Sequence, residues 1–157
     1  MFLNVEQPRL TLSLSQRWQS QIPHAPETGD GASPLPRKVL IIEDEYLVGL
    51  NLENCLRDAG FHVIGIAMTA EEGLEMAELE IPDVAIVDIR LAGDRDGIFA
   101  ATELRRRLGI PSIFATAHAN GNARQRARSA QPIAWIEKPY APHDVVAALK
   151  SVLGTER

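Results

Sequence analysis

Short apolar runs alternate with longer segments of helical periodicity over most of the chain, starting at residue 38. Five runs of strand length are predicted, at residues 38–42, 61–66, 83–87, 111–116 and 131–137. The third run has no polar alternation, which is typical of a strand covered on both faces of a parallel sheet. It ends on the carboxylate of Asp88. Because open α/β sheets bind ligands at the carboxyl ends of their strands, Asp88 is the first candidate for a functional residue.

The segments between these runs, and the one after the last, predict amphipathic helices. The positions expected to face the sheet are Val48, Leu52, Leu56 and Ala59 in the first helix, Leu74, Ala77 and Leu79 in the second, and Val145, Val146, Leu149 and Val152 in the last. Residues 119–130 contain no large apolar residue, so a helix there buries little and is expected to be the most mobile part of the domain. Strands separated by helices predict a doubly wound α/β sheet.

Residues 1–36 differ from the rest in composition. They are rich in proline, and residues 24–36 also contain Gly29 and Gly31, which is typical of a linker. We interpret residues 1–36 as an N-terminal extension and residues 37–154 as a single domain. The extension is either a disordered tail or a short amphipathic piece that docks on this domain or on a partner.

Composition and charge narrow the class of protein. Hydrophobic residues make up 45% of the chain and charged residues 24%, and no apolar run approaches the roughly 20 residues of a membrane span. A net charge of -5 argues against a protein that acts mainly on nucleic acid. With no secretion signal and a single cysteine, Cys55, we expect a protein of the reducing cytoplasm.

Polar side chains stand where the predicted strands end. Glu43 and Asp44 follow the first strand, Asp88 the third and Lys138 the fifth, and Thr116 closes the fourth. Parallel strands bring their carboxyl ends to one edge of a sheet, so we expect these side chains to share a cleft. Two carboxylates about 5 Å apart repel by roughly 3 kcal/mol at an effective dielectric of about 20, so the cluster requires a cation. Oxygen ligands without cysteine or histidine favour Mg²⁺ over zinc.

This combination suits phosphoryl transfer, because a metal ion and an ammonium group neutralise the charge on the transferred group. Asp88 is then the nucleophile and becomes an acyl phosphate. Asp44 would bind Mg²⁺ directly and Glu43 would hold it through a water molecule. Thr116 would donate a hydrogen bond to a phosphoryl oxygen.

The strand ends form four short motifs, Ile42-Glu43-Asp44-Glu45, Val87-Asp88-Ile89-Arg90, Ala115-Thr116-Ala117 and Glu137-Lys138-Pro139. In this order and at these intervals they resemble the receiver domain of two-component response regulators. The resemblance implies a flavodoxin-like fold, with a five-stranded parallel sheet of order 2-1-3-4-5 and five flanking helices. It also implies Mg²⁺-dependent phosphorylation of Asp88 by a phosphohistidine donor, slow self-catalysed hydrolysis, and a cis peptide bond before Pro139.

The loop after Asp88 departs from the family pattern, because it lacks the usual Met-Pro pair. The backbone carbonyl of Arg90 is still expected to bind Mg²⁺, since a backbone group does not depend on side-chain identity. The aromatic switch position, three residues before the lysine, holds Trp135, where Tyr or Phe is commoner.

Three more positions are assigned a modulating role by the resemblance. Ala117 follows Thr116, His118 is expected to border the phosphoryl site and affect hydrolysis, and Pro139 follows the lysine. Phe114-Ala115-Thr116 and the polar fourth helix resemble a subset of receivers partnered with HWE-type histidine kinases.

The resemblance implies a stand-alone regulator that is itself phosphorylated, rather than a turnover enzyme. The chain ends at Arg157, soon after the last predicted helix, so we expect no C-terminal output domain. Its partners would be a histidine kinase or phosphotransfer protein and a downstream protein target, with neither nucleic acid nor membrane involved. Contact would run through helix four, strand five and helix five, and a homodimer through the same face is left open.

Other interpretations are weighed against this one. An inactive receiver would be a binding module that works without phosphorylation. A haloacid-dehalogenase-like phosphatase would have a second Asp where this chain has Arg90, and a flavodoxin would have a hydroxyl- and glycine-rich loop where this chain is acidic. The arginines at 105–107, 124, 126 and 128 are either a partner patch or a solvated helix face.

Overall fold

The computed structural model describes residues 35–154. Their strands are β1 (Lys38–Ile42), β2 (His62–Ala67), β3 (Val84–Val87), β4 (Ser112–Thr116) and β5 (Ala134–Glu137). Hydrogen bonds between neighbouring strands join them into one sheet of order β2-β1-β3-β4-β5, and every pair of neighbouring strands is parallel. The predicted order 2-1-3-4-5 is confirmed, and the strand that leads to Asp88 lies at its centre. Residues 1–34 of the predicted N-terminal extension, residues 1–36, lie outside the described residues.

Helices lie between the strands and after the last one. They are α1 (Tyr46–Asp58), α2 (Ala70–Leu79), α3 (Gly97–Glu103), α4 (Gly121–Arg126) and α5 (Pro142–Leu153). A π-helical turn, Leu104–Leu108, continues α3, and a 3-10 turn, Ala127–Ala130, continues α4. Crossing a bilayer demands more length and apolar surface than any helix within residues 35–154 possesses.

Thr69 caps the start of α2. Thr69 Oγ1 accepts a hydrogen bond from the Glu72 amide at 3.2 Å. Glu72 in turn accepts from the amide of Met68 at 2.7 Å, one residue earlier than in the usual capping box. The first bond satisfies a backbone donor that the first helical turn leaves free, and the second ties the residue before the cap to the helix.

The sheet is covered on both faces, as the absence of polar alternation in the third run predicted. Side chains alternate between the faces along each strand. One face buries Leu40, Ile42, Ala85, Val87 and Phe114 beneath α2, α3 and α4. The other buries Val39, Ile41, Val84, Ile86 and Ile113 beneath α1 and α5. These two layers hold β3 rigidly, so the residue that follows it has a well-defined position.

Some predicted helix faces and limits are wrong. Leu79 is 89% exposed because it is the last residue of α2, and Val152 is 39% exposed in the last turn of α5. Strand β5 starts at Ala134 instead of residue 131. Gln131 has a left-handed φ of 47° that closes the preceding turn, and Pro132 has no amide hydrogen to donate to the sheet.

The fourth helical segment packs through alanines. Ala123, Ala127 and Ala130 are each at most 6% exposed and belong to the core layer between the sheet and the helices α2, α3 and α4. Small side chains allow this segment to approach the sheet closely, although it lacks large apolar residues. Its expected mobility stays a prediction.

Candidate functional site

Three carboxylates meet at the carboxyl edge of the sheet. Glu43 and Asp44 follow β1, and Asp88 follows β3, which pairs with β1 through Ile42 and Val87. One oxygen from each carboxylate lies within 4.8 Å of the others. Glu43 is 4% exposed and Asp88 8% exposed, so water screens their mutual repulsion only weakly. A cluster of carboxylate oxygens at this spacing fits a hard divalent cation such as Mg²⁺.

Lys138 supplies the positive charge at this edge. It follows β5, two strands away from β3, and its long side chain reaches across. Its Nζ donates to Glu43 Oε2 at 2.6 Å and to Asp88 Oδ2 at 2.8 Å. The peptide bond to Pro139 is cis, as the resemblance implied. One ammonium therefore links the carboxylates that follow β1 and β3.

The charges at this edge shift one another's protonation. Burial raises the pKa of the Glu43 carboxyl, and the hydrogen bond from Lys138 only partly opposes that increase. Burial by itself would lower the pKa of Lys138, but its hydrogen bonds to Asp88 and Glu43 outweigh burial and raise it above the ordinary lysine value. Lys138 is therefore a permanent cation across the neutral range, held against the candidate nucleophile.

Replacing Lys138 with methionine is expected to tighten Mg²⁺ binding. The side chain keeps its apolar stem but no longer places an ammonium on Glu43 and Asp88, where it competes with an incoming cation. A gain of roughly tenfold corresponds to about 1.4 kcal/mol of repulsion removed. Isothermal titration calorimetry measures the affinity, and Lys150→Met on α5 is the matched control for net charge. Unchanged or weaker Mg²⁺ binding in Lys138→Met alone would contradict this competition.

Thr116 lies fully buried at the end of β4. Its Oγ1 accepts a hydrogen bond from the His118 amide at 3.2 Å, which leaves the hydroxyl proton free to be donated elsewhere. His118 lines a cleft of about 750 Å³ together with Asp44 and Arg90. Ala117 lies in a second, apolar groove of about 530 Å³ with Pro139. The structure thus places His118 on the acidic side of Thr116 and Ala117 on the apolar side.

The loop after Asp88 is held at several points. The Arg90 amide donates to Asp88 Oδ1 at 3.3 Å. Ala92 forms an isolated parallel bridge with Thr69, and Gly93 has a φ of 94°, which favours glycine. These contacts show how the chain orders this loop without the family's Met-Pro pair.

Trp135 lies on β5, half-buried. Its ring centroid is 4.8 Å from that of Phe114 on β4, at an interplanar angle of 32°. The guanidinium carbon of Arg124, on α4, lies 4.6 Å from the centre of the Trp135 ring. This cation-π contact ties the fourth helix to the predicted switch position.

Three of the six arginines in the cluster form ion pairs. Arg106 bonds Glu103, Arg107 bonds Glu78, and Arg126 bonds Asp96. Arg105 contacts the side-chain oxygen of Gln131 at 3.3 Å. Within the described residues three of the six arginines are neutralised by carboxylates, which favours the solvated helix face over a partner patch.

Sequence reasoning missed two residues near the site. Gly97, the first residue of α3, donates its amide to the Ile89 carbonyl at 2.8 Å and packs against the backbone of Asp88. A glycine directly after a helix-capping residue, here Asp96, was a sequence feature that could have indicated a close backbone contact. The contact of Arg124 with Trp135 had no counterpart in the sequence pattern, because the two residues belong to different elements.

Comparisons with known proteins agree with this geometry. Residues 39–150 match the family model of the response regulator receiver domain. The chain is 37% identical over 123 residues to the transcriptional regulatory protein PdtaR of Mycobacterium tuberculosis H37Rv, covering 78% of this chain and 60% of that protein. It is 32% identical over 123 residues to the phyllosphere-induced regulator PhyR of Methylorubrum extorquens AM1, covering 78% and 45%. The chain spans about half the length of these curated relatives.

Solved structures share the fold. A CheY-like response regulator receiver domain protein from Methanospirillum hungatei JF-1 superposes with a TM-score of 0.70 at 29% identity, covering 76% of this chain and 95% of that one. The signal receiver domain of a modulated diguanylate cyclase from Desulfovibrio desulfuricans G20 gives 0.70 at 31% identity, with the same coverage. With the family model matching most of the chain and this acidic edge in place, the chain belongs to the response regulator receiver domain family.

Proposed function

We propose that this chain is a phosphoryl-accepting regulator of a two-component phosphorelay, with Asp88 as the acceptor. The observation that carries the proposal is the 2.8 Å contact between Lys138 Nζ and Asp88 Oδ2, beside Glu43 and Asp44. A buried carboxylate already paired with a cation is poised to meet a phosphoryl group, because the same ammonium can neutralise phosphoryl oxygens. The donor would be a histidine kinase or a phosphotransfer protein carrying phosphohistidine.

The reaction follows from the groups at the edge. An Asp88 carboxylate oxygen attacks phosphorus, the phosphorus–nitrogen bond of the phosphohistidine breaks, and the electron pair leaves with the imidazole, which takes up a proton. Lys138 stays protonated and lies beside the attacked group. Bound Mg²⁺, held by Asp44, Asp88 and the backbone carbonyl of Arg90, with Glu43 through water, would supply further positive charge to the phosphoryl oxygens.

Hydrolysis of the acyl phosphate returns the domain to its starting state without a turnover substrate. His118 borders the cleft from which water would approach. The protein would therefore be a regulator that is itself phosphorylated, and not an enzyme that turns over a substrate. Residues 37–154 would form its receiver domain and residues 1–36 an N-terminal extension. It would work in the cytoplasm.

Output would come from protein contact. The buried Thr116 hydroxyl donates to the new phosphoryl oxygen, and the face formed by α4, β5 and α5 changes its affinity for a downstream protein or for a second copy of the chain. An alternative is a binding module that works without phosphorylation. It is favoured by the same Lys138 contacts, since they satisfy Glu43 and Asp88 without any ligand.

Phosphate incorporation separates the two functions. The full chain is incubated with a small acyl phosphate and Mg²⁺, and intact mass and peptide mapping follow the product. We expect a single added phosphoryl group, mapped to Asp88 and lost when the metal is chelated. A chain that takes up no phosphate under these conditions, or takes it up elsewhere, would favour the binding module.

A further inference from the structure

The aromatic residue on β5, Trp135, makes two contacts through its ring. Trp135 packs its ring against Phe114, deeper in the sheet, and against the guanidinium of Arg124. Trp135 is half-buried and Arg124 is exposed, so their contact is partly solvated and easily broken. Such a contact can break or form when Asp88 is phosphorylated.

Arg124 also touches the loop that follows Thr116. Its Nε donates to the backbone carbonyl of Ala119 at 3.2 Å. Ala119 is next to His118, whose amide donates to Thr116 Oγ1 at 3.2 Å. One side chain thus contacts both the loop that ends at the site and the aromatic ring on the neighbouring strand.

Apart from its alanines the fourth helical segment has few apolar contacts, so charged contacts of this kind also fix its position. Among the residues of α4, Ala123 is the buried one, so the helix has little apolar surface to hold it in place. The ion pair of Arg126 with Asp96 adds a second restraint, since Asp96 also caps α3 by accepting from the Phe99 amide at 3.0 Å. Both restraints are charged contacts of exposed arginines, which a small rearrangement can release.

We infer that Arg124 is a positioning residue that transmits the state of Asp88 from the Thr116 loop to Trp135; this rests on the proposed phosphorylation of Asp88. When Thr116 donates to a phosphoryl oxygen, its contact with the His118 amide changes and the loop through Ala119 shifts. Arg124 loses its alignment on the Ala119 carbonyl and on the ring. Trp135 then changes environment without any hydrogen bond of its own to the site.

The test uses the fluorescence of Trp135 in the full chain. The chain has two tryptophans, so all variants carry Trp18→Phe. Beryllofluoride with Mg²⁺ serves as the phosphoryl mimic, and phosphate incorporation at Asp88 is measured separately by mass. We expect Arg124→Ala to reduce the beryllofluoride-induced fluorescence change by about threefold, and Arg124→Lys to restore much of it, because an ammonium still binds a ring face. Phosphate incorporation should stay within about twofold, since Arg124 does not touch the carboxylates.

Arg128→Ala is the matched control. It removes the same charge from the next turn of the chain, and within residues 35–154 the Arg128 side chain makes no ion pair or side-chain hydrogen bond. The inference is overturned if Arg124→Ala responds as the parent does, if Arg128→Ala loses the response equally, or if a parent that takes up phosphate at Asp88 shows no fluorescence change with beryllofluoride and Mg²⁺. Failure of the parent to take up phosphate would instead overturn the proposed function, and the inference with it.

Discussion

Asp88→Asn is expected to abolish the Mg²⁺-dependent uptake of phosphate from a small acyl phosphate. An amide is a poor nucleophile, and Asp88 Oδ2 is the oxygen that Lys138 holds at 2.8 Å. The variant should also bind Mg²⁺ more weakly, because one of the three clustered carboxylates is gone. Intact mass after incubation measures the first effect, and calorimetry the second.

Loss of uptake in this variant should not come from loss of the fold. Glu43 and Asp88 share one ammonium, so removing one buried charge relieves repulsion, and stability without metal should rise by about 1 kcal/mol. Thermal melting measures this change. Asp94→Asn, an exposed carboxylate in the same loop, is the matched control and should take up phosphate normally. Phosphate on Asp88→Asn at the parental level would contradict Asp88 as the acceptor.

Gly97→Ala is expected to disturb the site through the backbone. A Cβ at residue 97 would overlap the carbonyl oxygen of Asp88 and lie 2.7 Å from its carbonyl carbon and 2.8 Å from Val87 Cγ1. Backbone atoms cannot turn aside as a flexible side chain can, so α3 or the end of β3 must move. We expect a loss of stability of about 3 kcal/mol, seen as a melting temperature lowered by about 10 °C.

The same displacement should slow phosphorylation. A shift of about 1 Å at a reacting group can cost roughly a hundredfold in rate. The rate is measured at a temperature where circular dichroism shows that the variant is folded. Gly121→Ala is the control, because a Cβ there meets no described atom within 4 Å, and it should melt at or slightly above the parental temperature. Parental stability and rate in Gly97→Ala would show that this close approach is not needed.

Much of the fold was predictable because its sequence patterns are local. The continuous apolar run of β3 indicates a strand with two covered faces, and Thr69 with Glu72 indicates a helix start. The first and last residues of a strand were less predictable where the conformation of a neighbouring turn determines them. Gln131 adopts a left-handed conformation without being glycine, and nothing in the local pattern of residues 131–137 showed this.

The candidate site could be predicted from the types of residue at the strand ends. Parallel strands necessarily share their carboxyl edge, so the positions of Glu43, Asp44, Asp88, Thr116 and Lys138 along the chain were enough to place them together. The exposure of Leu79 shows the opposite case, since a helix whose final turn passes the edge of the core cannot be recognised from periodicity. Mg²⁺ binding and phosphorylation of Asp88 are predictions from the chemistry of these groups, and the phosphate-uptake and calorimetry experiments test them.

The sequence by itself determined the five strands, the central position of Asp88 and the set of groups beside it, because strand periodicity and strand-end chemistry are encoded residue by residue. The strand order 2-1-3-4-5 was implied by the resemblance to receiver domains, and the strand pairing confirms it. Only the tertiary structure decided which oxygens Lys138 bonds, how the loop after Asp88 is tied to Thr69, and that Arg124 contacts Trp135. These contacts join residues far apart in the chain. Their geometry depends on how layers of helices pack on the sheet, which no local pattern specifies.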